Sequence, residues 1–447
     1  MPADLSKLTD ALLAAAAKAG ADAADAMAIS ERSVSVDVLH GALESAERSE
    51  STEIGLRVLV GQRQATVASS DLSDRTMEEM AVRAVAMANL APEDPHLGLA
   101  GVHLLSSKRD AEGLDLFDGA DPSPKDLEDQ ALAAEAGALA IAGVSQVQSA
   151  SAGHTFRDTY LAATNGFAGG YSRSSHGRSA VAITGTGLAM ERDYYGESRC
   201  HLADLPDAEE IGKIAGERTA ARAGARKPPT GAFPVIFDER IASSLIGHLV
   251  SAINGTAVAR GSSWLRDAMG EMVLPPGIDL IEDPHRARIS NARYFDAEGL
   301  PTKRRSLVKN GALQGWILDL AAARKLNTSP TANAVRGISS GPSPAASSLS
   351  LTQGGVSRED LAQDVGDGLL VTGLIGASIN PTTGDYSRGA SGFWIERGEI
   401  AFPVNECTIA GNLREMLATI RPANDARTHL SNVVPSLLVE GLTIAGA

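Results

Sequence analysis

Apolar residues recur at helical spacing in the first segment of the chain. Leu5, Leu8, Leu12, Ala15 and Ala16 form one stripe, Asp4 or Ser6 can cap its start, and Gly20 can end it. The pattern then changes period. Val34, Val36 and Val38 alternate with polar residues, and "EIGLRVLVGQRQATVASS" supplies two more alternating runs around Gly61, so strands are predicted there. A second helix is predicted over 74–90. Met77, Met80, Ala81, Ala84 and Met87 face inward, Thr76 and Glu79 form a capping box, and Pro92 is the stop.

From Ala91 to Lys125 the chain turns to Pro, Asp and Gly and reads as a long connection. A helix rich in Ala and Glu follows over about 124–142. Four short runs, "VSQVQSASAGH", "TYLAATNGF", "GGYSRSSHGRS" and "AVAITGTGLAM", read as an antiparallel meander, and the charged helix "DAEEIGKIAGERTAARAGA" closes this half. Pro228, Pro229 and Gly231 break the pattern before a strand over 233–237 and a helix over 240–253. Strands dominate beyond it, with hairpin turns at Asn310-Gly311 and Arg397-Gly398. No fixed-period repeat spans the chain. The fold class is therefore α+β: an N-terminal domain of helices and an antiparallel sheet over 1–226, then a β-rich C-terminal domain over 231–447.

At 447 residues the chain exceeds what one core usually serves, which agrees with two domains. The formal net charge of −15 repels phosphate backbones, so direct nucleic-acid binding is not expected. The densest basic run, Lys303–Arg305, reads as a solvated strand edge. Two cysteines, Cys200 and Cys407, are too few for a disulfide framework. The first twenty residues have no basic leader, and Asp10 and Lys18 interrupt their apolar run. Neither a signal peptide nor a membrane span is expected, and a cytoplasmic setting follows.

The stretch "LIGHLVSAINGTAVARGSSW" at 245–264 decides between chemistries. Ile241, Leu245, His248, Leu249 and Ala252 share one helical face, with Asp238 as N-cap. A helical zinc site needs a second ligand three to five residues from the first and a carboxylate to activate water. Around His248 those positions hold Ser243, Ser244, Leu245, Ser251, Ala252 and Ile253, so His248 reads as a core or rim residue. The remaining histidines are scattered. Cys407 sits in a strand pattern with no base to lower its pKa. "GTGLAM" is a turn rather than a dinucleotide loop, and "GASG" at 389–392 lacks the strand–turn–helix setting of a nucleophile elbow. The most distinctive polar stretch is "NPTTGDYSRGASGFWIERGEI" (380–400), a loop suited to binding, or a hairpin in which Asp385 and Arg388 pair.

"GDYSRGASGFWIERGEIAFPVNECTIAGNLREM", "GHLVSAINGTAVARGSSWLRDAMGE" and "EDPHRARISNARYFDAEGLPTKRRSLVKNGALQGWIL" resemble the PmbA/TldE proteins of the TldD/PmbA metalloprotease family. The match covers nearly all of 233–446, and the N-terminal half agrees in layout. The resemblance implies a cytoplasmic complex of two related subunits, in which TldD-type subunits carry an HExxxH helix and a late cysteine that bind zinc. With "GSSWLRDAMGE" as anchor, the family's histidines fall on Ile246 and Ser251, its glutamate on Gly247 and its cysteine near Val434. The resemblance thus implies a non-catalytic subunit with no zinc of its own. A TldD-like zinc metalloprotease would be its partner and unfolded or modified peptides the substrate. The family has also been called a modulator of DNA gyrase, which the acidic charge does not support as direct DNA binding. Asp385, Tyr386, Ser387 and Arg388 are the candidate peptide- or partner-binding residues. The alternative is a metal-free homodimeric peptide-binding or chaperone-like protein.

Overall fold

A computed structural model describes residues 4–446. The first half is built on one six-stranded antiparallel sheet, β3-β2-β1-β4-β5-β6, formed by β1 (Ala23–Leu39), β2 (Ala42–Val60), β3 (Arg63–Ser69), β4 (Val144–Ala163), β5 (Ala168–Thr184) and β6 (Glu191–Arg199). Four helices cover it: α1 (Leu5–Lys18), α2 (Asp74–Leu90), α3 (Pro124–Leu139) and α4 (Ala208–Ala220). Leu12 and Ala16 of α1 and Met77, Met80 and Ala84 of α2 pack on Ala26, Ile54, Leu56 and Val58. Leu127, Ala131 and Ala134 of α3 and Ala215 of α4 pack on Val36, Ala150, Ala152 and Ala180. Small side chains let α3 and α4 approach closely: a Cβ on Gly212 would lie 1.9 Å from the Ala134 carbonyl oxygen.

Several local expectations change. The four short runs of the meander are two long strands, β4 and β5, paired from Val144↔Thr184 to Ala162↔Ala168 and tolerating bulges near Gln146 and Gln148. The polar residues that break the apolar run sit on the sheet's open face, where alternation permits them. The second helix is capped by Ser73, whose Oγ accepts from the Thr76 backbone N–H, so Thr76 lies inside the helix and is not the cap. Met87 turns out to solvent. Asp4 makes no side-chain cap, because its carboxylate accepts from Ser6 Oγ instead. The capping box is found one helix later, between Ser123 and Asp126.

The long connection between α2 and α3 is strapped to the sheet by three carboxylates at three-residue spacing. Asp121 meets His154 of β4 at 3.1 Å, Asp118 meets His176 of β5 at 3.0 Å, and Asp115 meets His201 after β6 at 3.2 Å. Histidines scattered in sequence are thereby lined up on β4, on β5 and just past β6.

The second half begins with β7 (Gly231–Phe237), α5 (Glu239–Ala252) and α6 (Gly255–Ala259). A small sheet follows, built from β8 (Leu280–Glu282), β9 (Arg305–Lys309), β10 (Ala312–Leu313), β13 (Leu349–Leu351) and β18 (Asn432–Val433) in the order β10-β9-β8-β13-β18. Next come α7 (Leu320–Lys325) and the pair β11 (Ala334–Val335) and β12 (Ser343–Pro344), then β13 (Leu349–Leu351) and α8 (Arg358–Val365). The larger sheet takes β14 (Gly368–Ile379), β15 (Asp385–Glu396) and β16 (Glu399–Asn412). α9 (Leu413–Ala418), β17 (Arg421–Pro422), β18 (Asn432–Val433) and β19 (Leu437–Ala445) complete the chain. Its order is β16-β15-β14-β7-β19-β17, and a further β16–β19 pairing closes five strands on themselves. The hairpin turns stand where expected: Asn310 and Gly311 have φ 48° and 81°, Arg397 and Gly398 52° and 83°, the left-handed pair that a two-residue hairpin requires. At Lys303–Arg305 the first two residues are exposed, as expected of a solvated stretch, but Arg305 opens the inner strand β9 and is drawn in by Glu282 (2.9 Å) and Asn333 (2.7 Å).

A buried ionic group joins the two halves. Asp25 of β1 accepts from Arg57 of β2 (Nε, 2.7 Å) and from Arg336 of the second half, and both Asp25 and Arg57 are almost fully enclosed. Arg324 of α7 donates to the carbonyls of His96, Gly98 and Leu99 in the strap. Among the described residues no helix is long and apolar enough to cross a membrane.

Candidate functional site

Helix α5 starts at Asp238, whose side chain accepts from the Arg240 N–H and is held by Arg358 at 2.7 Å. Ala242, Leu245, Ile246, Leu249 and Ala252 are buried against β7 and β14. Ile241, expected on that inner face, is half-buried and turns toward a cleft. The outward stripe is Ser243, Ser244, Gly247 and Ser251. Ser244 Oγ donates to the Ile241 carbonyl and Ser251 Oγ to that of Gly247, while the space where a Gly247 Cβ would point is open.

The four positions on which zinc chemistry would fall are therefore Ile246 and Val434, both in the apolar core, and Gly247 and Ser251, both exposed. No imidazole, thiolate or carboxylate is among them. Among the described residues no three His, Cys, Asp or Glu side chains are grouped as a metal site. The residues at this helix do not fit a zinc ion.

His248 lies against Tyr386 at 5.7 Å between ring centroids, edge to face, and its Nε2 has no partner. Burial, and then the nearby Arg388 charge, hold its imidazole below the ordinary value. Cys407 is buried on β16 and donates its thiol to the Ala390 carbonyl. Burial pushes that thiol up to about 11, so it is protonated and unreactive at neutral pH.

The four candidate binding residues separate. Asp385 is exposed and accepts from Thr383 Oγ1 (2.6 Å) and Asn412 Nδ2 (3.2 Å). Tyr386 is buried beneath His248, and Ser387 is half-buried on β15. Arg388 donates Nε to the Gly376 carbonyl at 2.7 Å, so the expected Asp385–Arg388 pair does not form. Of the four, Arg388 alone lines the large cleft between the halves, about 1200 Å³ in volume. The start of α5 and strands β14, β15 and β16 wall the cleft on one side, β6 and the end of α4 on the other. Asp193 of β6 accepts from Arg240 at 3.2 Å across it, and Glu191 accepts from Arg222 (3.3 Å) and Asn405 (2.6 Å).

Sequence reasoning missed Arg222, Arg240 and Thr372 as cleft residues. For Thr372 a signal existed: it is the one hydroxyl in the apolar run "LLVTGLI", beside a glycine.

Family models describe most of the chain as PmbA/TldA metallopeptidase: domain 1 over residues 24–88, the central domain over 117–223 and the C-terminal domain over 230–446. The chain belongs to the PmbA/TldD family. It is 34% identical to "Metalloprotease PmbA" of Escherichia coli O157:H7 over 427 residues, covering 95% of this chain and 92% of that one. The homolog from Haemophilus influenzae is also 34% identical, over 96% of this chain and 94% of its own length. A crystal structure from Bacteroides thetaiotaomicron, named as a candidate modulator of DNA gyrase, superposes with a TM-score of 0.90 at 28% identity, covering 99% of both chains. TldE of Thermococcus kodakarensis shares the fold of this PmbA/TldD-family chain, with a TM-score of 0.85 at 22% identity over 98% of this chain and all of that one.

Proposed function

We propose that this chain is the non-catalytic, TldE-like subunit of a two-subunit zinc metalloprotease acting on unfolded or modified peptides in the cytoplasm. One observation carries the reading: the helix positions that carry the zinc ligands and the general base in a catalytic subunit hold Ile246, Gly247 and Ser251 here, none of which can serve. The scaffold of the family is kept while the chemistry is left to a partner of TldD type, which holds the zinc. This subunit completes the chamber, shields the partner's metal and offers the cleft at Arg388 to peptide. The exposed Asp385 suits a partner contact.

The test is co-expression with a TldD-type chain from the same source, with zinc content and peptide cleavage measured for each chain and for the mixture. Zinc and cleavage that follow the partner's histidines, with cleavage raised by this chain, support the assignment. Stoichiometric zinc, or cleavage by this chain alone, overturns it. The competing reading, a homodimer that only binds peptides, predicts binding with no change in the partner's activity.

A further inference from the structure

The outer edge of the first sheet is open along most of β2. Strand β3 pairs with β2 only from Ile54 to Val60, and the chain then turns away into α2. From Ala42 to Glu53, β2 has β1 on one side and no strand on the other. Among the described residues, no backbone group of this stretch bonds to anything but β1. Almost all of its residues are exposed, whichever face of the sheet they stand on. A free edge of this length is a template for a further strand.

The two faces of the edge ask for different side chains. Val34, Val36 and Val38 of β1 pack beneath α3, and Arg48, Ala46 and Leu43 stand beside them in register on that helix face. Leu43 is 49% exposed there, and Ala46 borders a hollow of about 270 Å³ walled by Val34, Pro122 and Pro124. Glu47 and Glu53 point to the opposite face, in register with Ser35 and Ile29.

Charge then narrows the occupant. The stretch 42–53 holds four glutamates and one arginine, a net charge of −3. Arg48 answers Glu50, while among the described residues no cation answers Glu44, Glu47 or Glu53. A second copy would set this acidic edge against itself, and like charges directly opposite destabilise a strand pair. A strand with Lys or Arg on one face and apolar residues on the other meets both demands.

We infer that β2 from Ala42 to Glu53 is a docking edge for an extended segment of a partner protein in which basic and apolar residues alternate. Main-chain bonds hold the added strand, Glu47 and Glu53 select its charge, and the hollow beside Ala46 takes an apolar side chain. The inference stands apart from the subunit reading above, because it involves neither α5 nor the cleft.

The experiment uses the full chain alone and three fluorescein-labelled decapeptides. One alternates Lys and Val, one alternates Glu and Val, and the third is the Lys–Val peptide with two central valines replaced by proline. Fluorescence anisotropy should show the Lys–Val peptide binding about tenfold more tightly than the Glu–Val peptide. That is the discrimination expected when two cross-strand ion pairs replace two repulsive contacts. The proline peptide has the same charge but cannot form a continuous strand, and it should lose most of that affinity. Hydrogen–deuterium exchange should show new amide protection over 42–53 when the Lys–Val peptide is bound. Glu47→Lys combined with Glu53→Lys, both at exposed positions, should invert the preference. Equal binding of the Lys–Val and proline peptides would mean plain attraction of a polycation to an acidic chain and would overturn the inference. So would an unchanged preference in the double variant, or no new protection over 42–53. Protection of 42–53 that grows with chain concentration and needs no peptide would assign the edge to a second copy, and would overturn it too. If the double variant fails to fold, the proline comparison and the exchange measurement on the unaltered chain still decide.

Discussion

Glu298 gives the sharpest quantitative test of how the two halves are joined. It adjoins the joint formed by Asp25, Arg57 and Arg336, lining the same small cavity as Asp25, Arg57 and Phe167, and its Oε2 accepts from the Leu320 N–H at 2.8 Å. Burial first, and then the neighbouring Asp296 charge, push its carboxyl up from 4.5 to about 8. The folded value lies above the unfolded one, so the fold prefers the protonated acid. That contribution is complete below pH 4.5 and is lost as pH rises toward 8. The linkage relation applied to these two values gives a loss of roughly 3 kcal/mol by pH 7 and roughly 4–5 by pH 8.5. Solvent relaxation around a partly accessible carboxyl reduces this, and about 2 kcal/mol is the expected size. Glu298→Gln keeps an oxygen for Leu320 and cannot ionise. Its melting temperature should match that of the unaltered chain at pH 5 and exceed it at pH 8.5 by several degrees, about 2–4 °C per kcal/mol for a body of 150–250 residues. Because other titrating groups cancel in the difference, the assay is the difference between the two melting curves across pH 5–8.5. A difference that does not change with pH would refute the reasoning and mean that Glu298 ionises at its ordinary value.

Asp25→Ala strips both Arg57 and Arg336 of their buried carboxylate and should cost about 3–5 kcal/mol, seen as a lower urea midpoint. Gly212→Ala drives a methyl group into the Ala134 carbonyl and should cost about 1–3 kcal/mol; an unchanged melting midpoint would contradict the close α3–α4 approach. With its thiol at about 11, Cys407 should resist a thiol reagent at pH 8 in the native chain and react only after unfolding in urea. Burial lowers His154, His248 and His429, so the unfolded chain takes up protons first. Their share of stability is whole above pH 6.5 and falls as pH drops below it, and His154→Gln should flatten that part of the melting profile.

Much of the fold was readable because burial has a period. Asp74–Leu90 emerged with its observed limits, since its inner side chains recur at helical spacing and a proline follows. The two-residue turns at Asn310-Gly311 and Arg397-Gly398 were readable because only certain residues tolerate their backbone angles. The length of β4 and β5 was not readable. Their polar faces meet water, and polar runs look like turns until the neighbouring strands are known. Met87 was misplaced because the buried stripe of α2 runs through Ala81, Ala84 and Ala88, and position 87 lies just off it, facing solvent.

The candidate site divides along the same line. From the residues alone, α5 lacks the side chains for zinc chemistry, because ligand identity and spacing on a helix are local properties. The same holds for the hairpin turns, the break at Pro228–Gly231 and the absence of a disulfide framework. Only the tertiary structure separates Arg388 from Asp385, since a strand sends neighbouring residues to different surroundings and two bulges in β14 shift them further. Only the tertiary structure brings Arg222, Thr372 and Arg388, distant in sequence, to one cleft, and aligns Asp115, Asp118 and Asp121 with histidines on β4, on β5 and just past β6. Local chemistry is written in the order of residues. A cleft is made by chain closure, and which polar groups it leaves unpaired depends on every contact that closure makes.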